Sequence, residues 1–486
     1  MIWLGSTTLA WQSVSWLITL VTARVLQPGD YGIVALAETV VPYLALIAGF
    51  NIATWLVHQQ LLDAERQQAM FSLATLLGAA MSLLAFLLAP VVAGFYQRPE
   101  ITPPFRLISI IFLLQSLQTV PRALLQREMR FKAVGLMNLI VGLTRGGLQL
   151  GLATLGLGHW ALFLGILYGE LAMTCCLAAV PGFPRRFRWS PSWNWQALRF
   201  GAAATAASVL WIVYSTADNI IVGRLFGVEL LGYYAMAFYL TDLPLAKLNS
   251  VLRPVLLPYF SRLRFYPDSL ERSFLLLSRG VAATLFPAQI GLAVVAPEVV
   301  PGLLGEKWSG LIAPLQVMCL VGVIRTLTTT IEPLLLALGH PRRILACNAL
   351  TAVLLPPTFL VLAQRFGMEG IYASWLCVFP LTSLFAVYAA SQCTQITMSR
   401  FLRNVAGPLV AAVLMGCATY GVRAALPAAL PGTWRCASEV AAGVLVYAVL
   451  VRLLFWSQAL RIWQLVRELR DGNEEEQTPL PDEGQR

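Results

Sequence analysis

Arg145 stands in the middle of an apolar stretch. An arginine at the centre of a membrane-crossing helix costs about 2.5–3.5 kcal/mol on insertion scales, so it faces water, a ligand or an acid. At about 100° per residue, Asn138, Arg145 and Gln149 fall within one narrow arc, with Gly142 beside them. Two readings are open. The arc is a cavity wall with a cation for an anionic substrate, or Arg145 is a structural arginine paired with an acid on a neighbouring helix, such as Glu170. Thr8, Gln12, Ser15 and Thr19 share a face of the first apolar run, and Ser208, Ser215 and Asn219 share a face of the seventh, with Asp218 at its edge. Such stripes line a cavity or hydrogen-bond between helices. The cavity reading takes Arg145, Asn138, Gln149, Ser208, Ser215, Asn219 and Gln12 as substrate-binding residues. Glu38, Asp218 and Asp242 are acids within apolar runs. They either titrate and couple H+ or Na+, or pair with arginines. Arg325 and Glu332 share a helix face and are the candidates for a gate at the cytoplasmic end.

No catalytic constellation accompanies these residues. There is no phosphate-cradling Gly-Lys-Ser/Thr loop, no zinc-ligand spacing and no Ser-His-Asp set. His58, His159 and His340 are scattered, and most of the eight cysteines sit inside apolar runs as small hydrophobes. The expectation is a protein that is not an enzyme, with no metal and no cofactor.

Membrane helices carry these residues. Of 486 residues, 58% are hydrophobic and 12% charged, against roughly 25% charged in soluble proteins. Mean hydropathy is +0.71. Apolar runs of about twenty residues recur, each able to cross about 30 Å of hydrocarbon, and a backbone without water must be helical. The pattern predicts an all-α polytopic membrane protein with about fourteen transmembrane helices. The first six lie near 4–26, 33–57, 68–95, 103–120, 134–157 and 159–181. Six more lie near 196–222, 231–259, 273–296, 308–332, 343–364 and 368–390, and two near 404–425 and 436–456. The chain enters its first run with no basic n-region and no small-residue cleavage site, so that run reads as a retained helix. Net charge is +10. The basic residues concentrate in alternate loops, around Arg127 and Lys132, Arg185 and Arg186, Arg262 and Arg264, Arg342 and Arg343, and Arg400 and Arg403. By the positive-inside rule these loops and both termini are cytoplasmic, and the charge implies no nucleic-acid partner.

The chain also reads as built twice. Residues 23–37, ARVLQPGDYGIVALA, are echoed at 223–237 by GRLFGVELLGYYAMA, with Arg24 matching Arg224 and Gly32 matching Gly232. At the same offset Thr8 meets Ser208, Ser15 meets Ser215 and Thr19 meets Asn219. Six helices per copy make the repeat parallel. The domains expected are an N-terminal six-helix lobe at 1–190, a second at 191–395, two extra transmembrane helices at 396–456, and an interfacial helix with an acidic disordered tail at 457–486. Arg24 and Arg224, near the outer helix ends, read as interfacial anchors.

Three segments carry a resemblance. ARVLQPGDYGIVALA, VPRALLQREMRFKAVGLMNLI and DNIIVGRLFGVELLGYYAMAFYL followed by PVLLPYFSRL resemble the corresponding parts of Wzx-type polysaccharide transporters, the lipopolysaccharide O-antigen flippases. Their superfamily of multidrug, oligosaccharidyl-lipid and polysaccharide exporters also holds drug antiporters and lipid II flippases. The resemblance covers about residues 1–400. It implies two lobes around a cavity, and movement of undecaprenyl-pyrophosphate-linked oligosaccharide repeat units across the bacterial inner membrane by alternating access. It also implies membrane lipids, a polysaccharide polymerase and glycosyltransferases as partners. A cation-coupled drug antiporter, a lipid II flippase and a membrane-embedded glycan transferase or ligase are the alternatives.

Overall fold

The computed structural model describes residues 16–49, 52, 56, 63–128, 130–180, 183, 187–426 and 432–454. All secondary structure among the described residues is helical. Eleven of these stretches are long and apolar enough to cross a membrane. Two further helices, Pro191–Leu225 and Val228–Leu263, have 35 and 36 residues, and the second carries Glu229, Asp242 and Lys247. The chain is a multi-pass membrane protein. Gln12, the interfacial helix and the acidic tail lie outside the described residues.

The chain forms two compact units. The first comprises Met1–Leu240, Val299–Leu315 and Leu345–Thr382, and the second Thr241–Glu298, Gln316–Ile344 and Ser383–Arg486.

In the first unit, α1 (Trp16–Val25) turns at Gln27 into α2 (Pro28–Glu38). Pro28 opens α2 with a preset φ. Asp30 accepts from Gln27 N at 2.9 Å and from His159 N at 2.8 Å. It thereby closes its own turn and caps the start of a second helix, where a carboxylate suits the dipole.

The helix predicted over 33–57 is interrupted: α2 stops at Glu38 and α3 (Val41–Gly49) begins anew. After α4 (Ala64–Tyr96), the run predicted over 103–120 likewise divides into α5 (Thr102–Ile108) and α6 (Ile111–Arg127). At both breaks a hydroxyl satisfies a carbonyl three residues back: Thr39 Oγ1 donates to Leu36 O at 2.6 Å and Ser109 Oγ to Arg106 O at 2.7 Å. This is how a membrane helix bends without exposing its backbone. Then follow α7 (Phe131–Thr154), α8 (His159–Ala178), α9 (Pro191–Leu225) and α10 (Val228–Leu263).

The echoed turns meet each other. A Cβ built on Gly32 would collide with the carbonyl of Val228, and one on Gly232 with the carbonyl of Pro28. Each glycine of the echo is therefore the site where the start of the other helix comes closest. The contact is reciprocal. Beside it α1 is held at its end: Trp308 Nε1, fully buried, donates to Ala23 O at 2.9 Å, Lys307 Nζ to Val25 O at 3.0 Å and Arg24 to Gly302 O at 3.3 Å. Tyr31 and Tyr233 pack edge-on against the Trp308 ring. Arg24 thus ends on a backbone carbonyl, and Arg224 lies over the Phe95 ring at 5.7 Å.

In the second unit, residues of α10, α11 (Pro267–Leu304), α12 (Ile312–Thr328), α13 (Ile331–Ala337), α15 (Met368–Ser391) and α16 (Met398–Ala425) enclose a core in which Phe274 packs between Phe260 and Phe401. The run predicted over 308–332 breaks between α12 and α13, where Thr328 Oγ1 donates to Arg325 O at 3.0 Å. The last helix, α17 (Gly432–Leu454), is pinned to α11 by Tyr447 OH donating to Ala283 O at 2.6 Å. Between α11 and α14 (Pro341–Phe366) the chain has no other long helix than α12.

Candidate functional site

A cavity of about 320 Å³ opens within the first unit, walled by α1, α2, α7, α8 and α10. Its polar lining consists of Thr19 and Thr22 of α1, Tyr31 and Glu38 of α2, Arg145 and Gln149 of α7, and Tyr239 of α10. Val34, Ile18, Leu162, Ile166 and Met236 supply apolar wall. A few directed polar groups in an otherwise apolar concavity is the usual composition of a binding site.

Arg145 and Gln149 are placed by glycines that sequence reasoning missed. The Arg145 stem crosses Gly169, where an added Cβ would sit 2.9 Å from its Cδ, and the Gln149 stem crosses Gly165. Two residues four apart on α7 therefore lie over two glycines four apart on α8, and both long side chains pass without lifting the helices apart. The signal was present as Gly165-x-x-x-Gly169 facing Arg145-x-x-x-Gln149, but it becomes readable only once α7 and α8 are known to pack together. Gln149 Nε2 also donates to Leu162 O at 3.3 Å.

Glu170, the acid considered as a partner for Arg145, is engaged elsewhere. It accepts from Gln118 Nε2 at 2.8 Å and Gln115 Nε2 at 3.1 Å, both on α6. Among the described residues no carboxylate forms an ion pair with Arg145, and Glu170 and Glu38 act on it only through space. Glu38, at the end of α2, is exposed to the cavity. Among the described residues the wall thus offers a guanidinium with open donor positions, a carboxylate, a tyrosine hydroxyl (Tyr31 OH) with no hydrogen-bond partner, and Tyr239 OH 3.5 Å from Thr19 Oγ1. A guanidinium so placed suits phosphate or carboxylate oxygens.

The other sequence-derived residues lie apart from this cavity. Asn138 is exposed on α7, outside the lining. Ser208 is half-buried on α9, and Ser215 donates to Ile212 O at 3.2 Å within that helix. Asn219 follows Asp218, whose Oδ1 accepts from Asn219 N at 2.8 Å. Asp218 is itself buried, with Tyr234 OH donating to it at 2.6 Å and Trp375 Nε1 donating to Tyr234 OH at 2.7 Å. That chain ties α9, α10 and α15 together. In the second unit Asp242 pairs with Arg325 at 2.9 Å, and Glu332 is exposed in the first turn of α13.

Residues 21–313 match the family described as polysaccharide biosynthesis protein. The chain belongs to that family. The lipopolysaccharide biosynthesis protein WzxC of Escherichia coli (strain K12) is 25% identical over 368 residues, covering 74% of this chain and 73% of the relative. The teichuronic acid biosynthesis protein TuaB of Bacillus subtilis (strain 168) is 22% identical over 420 residues, covering 85% and 86%. Among solved structures, the lipid II flippase MurJ in an inward closed conformation superposes with a TM-score of 0.75 at 14% identity, over 94% of this chain and 99% of that one. The likeness to MurJ establishes a shared fold. The resemblance of the three sequence segments to Wzx-type flippases is borne out by the family match and by WzxC.

Proposed function

We propose that the protein is a flippase that translocates undecaprenyl-pyrophosphate-linked oligosaccharide repeat units for lipopolysaccharide or exopolysaccharide biosynthesis. The observation that carries this reading is Arg145, seated on Gly169 in a polar-lined cavity and free of an ion-paired acid among the described residues. A pyrophosphate needs such a cation, and sugars need hydroxyls and amides of the kind that Thr19, Thr22, Tyr31 and Gln149 supply. The family match and the MurJ-like fold support transport as the activity. On this reading the protein sits in the bacterial inner membrane with both termini in the cytoplasm, as the basic loops suggest. It works by alternating access, receiving cargo from glycosyltransferases and passing it to a polymerase.

The test is Arg145→Ala in a strain whose surface glycan depends on this protein. Glycan export should fall at unchanged protein level, and full export would overturn the assignment. Glu38 in the same wall favours one rival, a cation-coupled drug antiporter. Dye efflux that depends on Glu38, without any glycan phenotype, would replace the flippase reading.

A further inference from the structure

Away from the cavity, three helices of the second unit bring four charged side chains together. Glu298 lies near the end of α11, Arg423 near the end of α16, and Arg435 and Glu439 near the start of α17. Arg423 Nε binds Glu298 Oε1 at 2.9 Å. Glu439 is completely buried, and the Glu298 side chain is 8% exposed. Both carboxyl oxygens of Glu439, Glu298 Oε2 and Arg435 Nε are buried without a hydrogen-bond donor or acceptor among the described residues. The acid that acts on Glu439 is Glu298, and Cys436 is the remaining titratable group beside the pair.

Two carboxylates cannot bond to each other, because each only accepts. A proton on one of them changes this: an O–H···O⁻ bond forms, of the short and strong charge-assisted kind, and the like-charge repulsion is removed. With two arginines and one remaining carboxylate the cluster then carries one net positive charge, shared among Arg423, Arg435 and the pair. A metal ion fits less well. It would need about six oxygen ligands, and the described residues offer one carboxyl pair flanked by two guanidinium groups.

We propose that Glu298 and Glu439 share one exchangeable proton and form the proton-coupling site of transport. The proton is taken from water and returned to it, and only the O–H bond forms and breaks. The coupling half of the proposal rests on the flippase reading, and the proton site does not. The ends of α11 and α16 and the start of α17 lie away from the basic loops, on the side read as periplasmic, where a proton gradient delivers protons.

Two measurements test this. Infrared difference spectra of the purified protein in nanodiscs at neutral pH, wild type minus Glu439→Gln, should show a protonated-carboxyl C=O band that shifts in D₂O. Glu298→Gln should remove the same band, which keeps the test available if one variant fails to fold. In proteoliposomes carrying undecaprenyl-pyrophosphate-linked oligosaccharide, acid on the periplasmic side should stimulate wild-type flipping several-fold. The stimulation should be absent in Glu439→Gln and present in Glu439→Asp. Absence of the band in wild type overturns the proton site. A band with undiminished stimulation in Glu439→Gln, or stimulation that follows sodium and ignores pH, overturns the coupling. A band in a wild-type protein that moves no lipid-linked oligosaccharide sinks the flippase reading and leaves the proton site standing.

Discussion

Placing a methyl group on either echoed glycine should force α2 and α10 apart, and doing both should cost little more than doing one. At Gly32 the added Cβ falls on the carbonyl of Val228, and at Gly232 on that of Pro28, each well inside the 3.0 Å that real Cβ atoms keep. Against an ordinary contact of roughly 3.5 Å the overlap exceeds about 1 Å. Both obstacles are backbone oxygens in the first turn of a helix, so no side-chain rotation relieves them. In each case the glycine α-hydrogen points at that oxygen, an arrangement worth about 0.5–1 kcal/mol as a Cα–H···O contact. Overpacking of this size costs about 1–3 kcal/mol, so Gly32→Ala and Gly232→Ala should each destabilise by that amount. The two clashes lie on the same helix pair, and one separation relieves both. The double variant should therefore fall short of the sum by about 1–3 kcal/mol, the size of coupling seen between residues in direct contact. Reversible unfolding in mixed micelles measures all three. A strictly additive double variant would show that the glycines are not across a shared contact, and the reciprocal packing of the two turns would be refuted.

Three further outcomes follow from single contacts. Gly169→Ala should push the Arg145 stem off its seat, because the new Cβ meets Cδ at 2.9 Å. Glycan export should drop several-fold at normal protein level, and adding Gly169→Ala to Arg145→Ala should do no further harm; a second drop would mean Gly169 acts by another route. Tyr234→Phe removes the donor to the buried Asp218 Oδ2 and the acceptor of Trp375 Nε1, which should cost about 1–3 kcal/mol by the same unfolding assay. Trp308→Phe removes the donor to Ala23 O and should cost at least about 0.5–1.5 kcal/mol, with α1 more readily cleaved by protease near its end.

Hydropathy and charge, which act residue by residue, made much of this protein readable in one dimension. The runs of about twenty apolar residues announced membrane helices because hydrocarbon admits no other open-chain backbone. Arg145 and Gln149 announced a polar wall because a cation in an apolar run demands a reason, and both line the cavity with Glu38. The interruptions at Thr39, Ser109 and Thr328 escaped a hydropathy reading, since a hydroxyl that rescues its own carbonyl leaves the apolar run intact. Asp218 read from its helix face as either a coupling acid or a helix-pairing one, and only the packed helices show that Tyr234 is its hydrogen-bond donor.

Read by itself, the sequence determines that the chain crosses a membrane many times and carries a cation within an apolar run. Tertiary structure decided which polar residues share a space. Gly165 and Gly169 seat Arg145 and Gln149, the glutamines of α6 take Glu170 away from Arg145, and Glu439 is brought against Glu298 from a helix more than a hundred residues later. Partner choice between helices depends on side-chain volume and close approach, and a periodicity along one helix carries no information about which surface of which other helix it will meet.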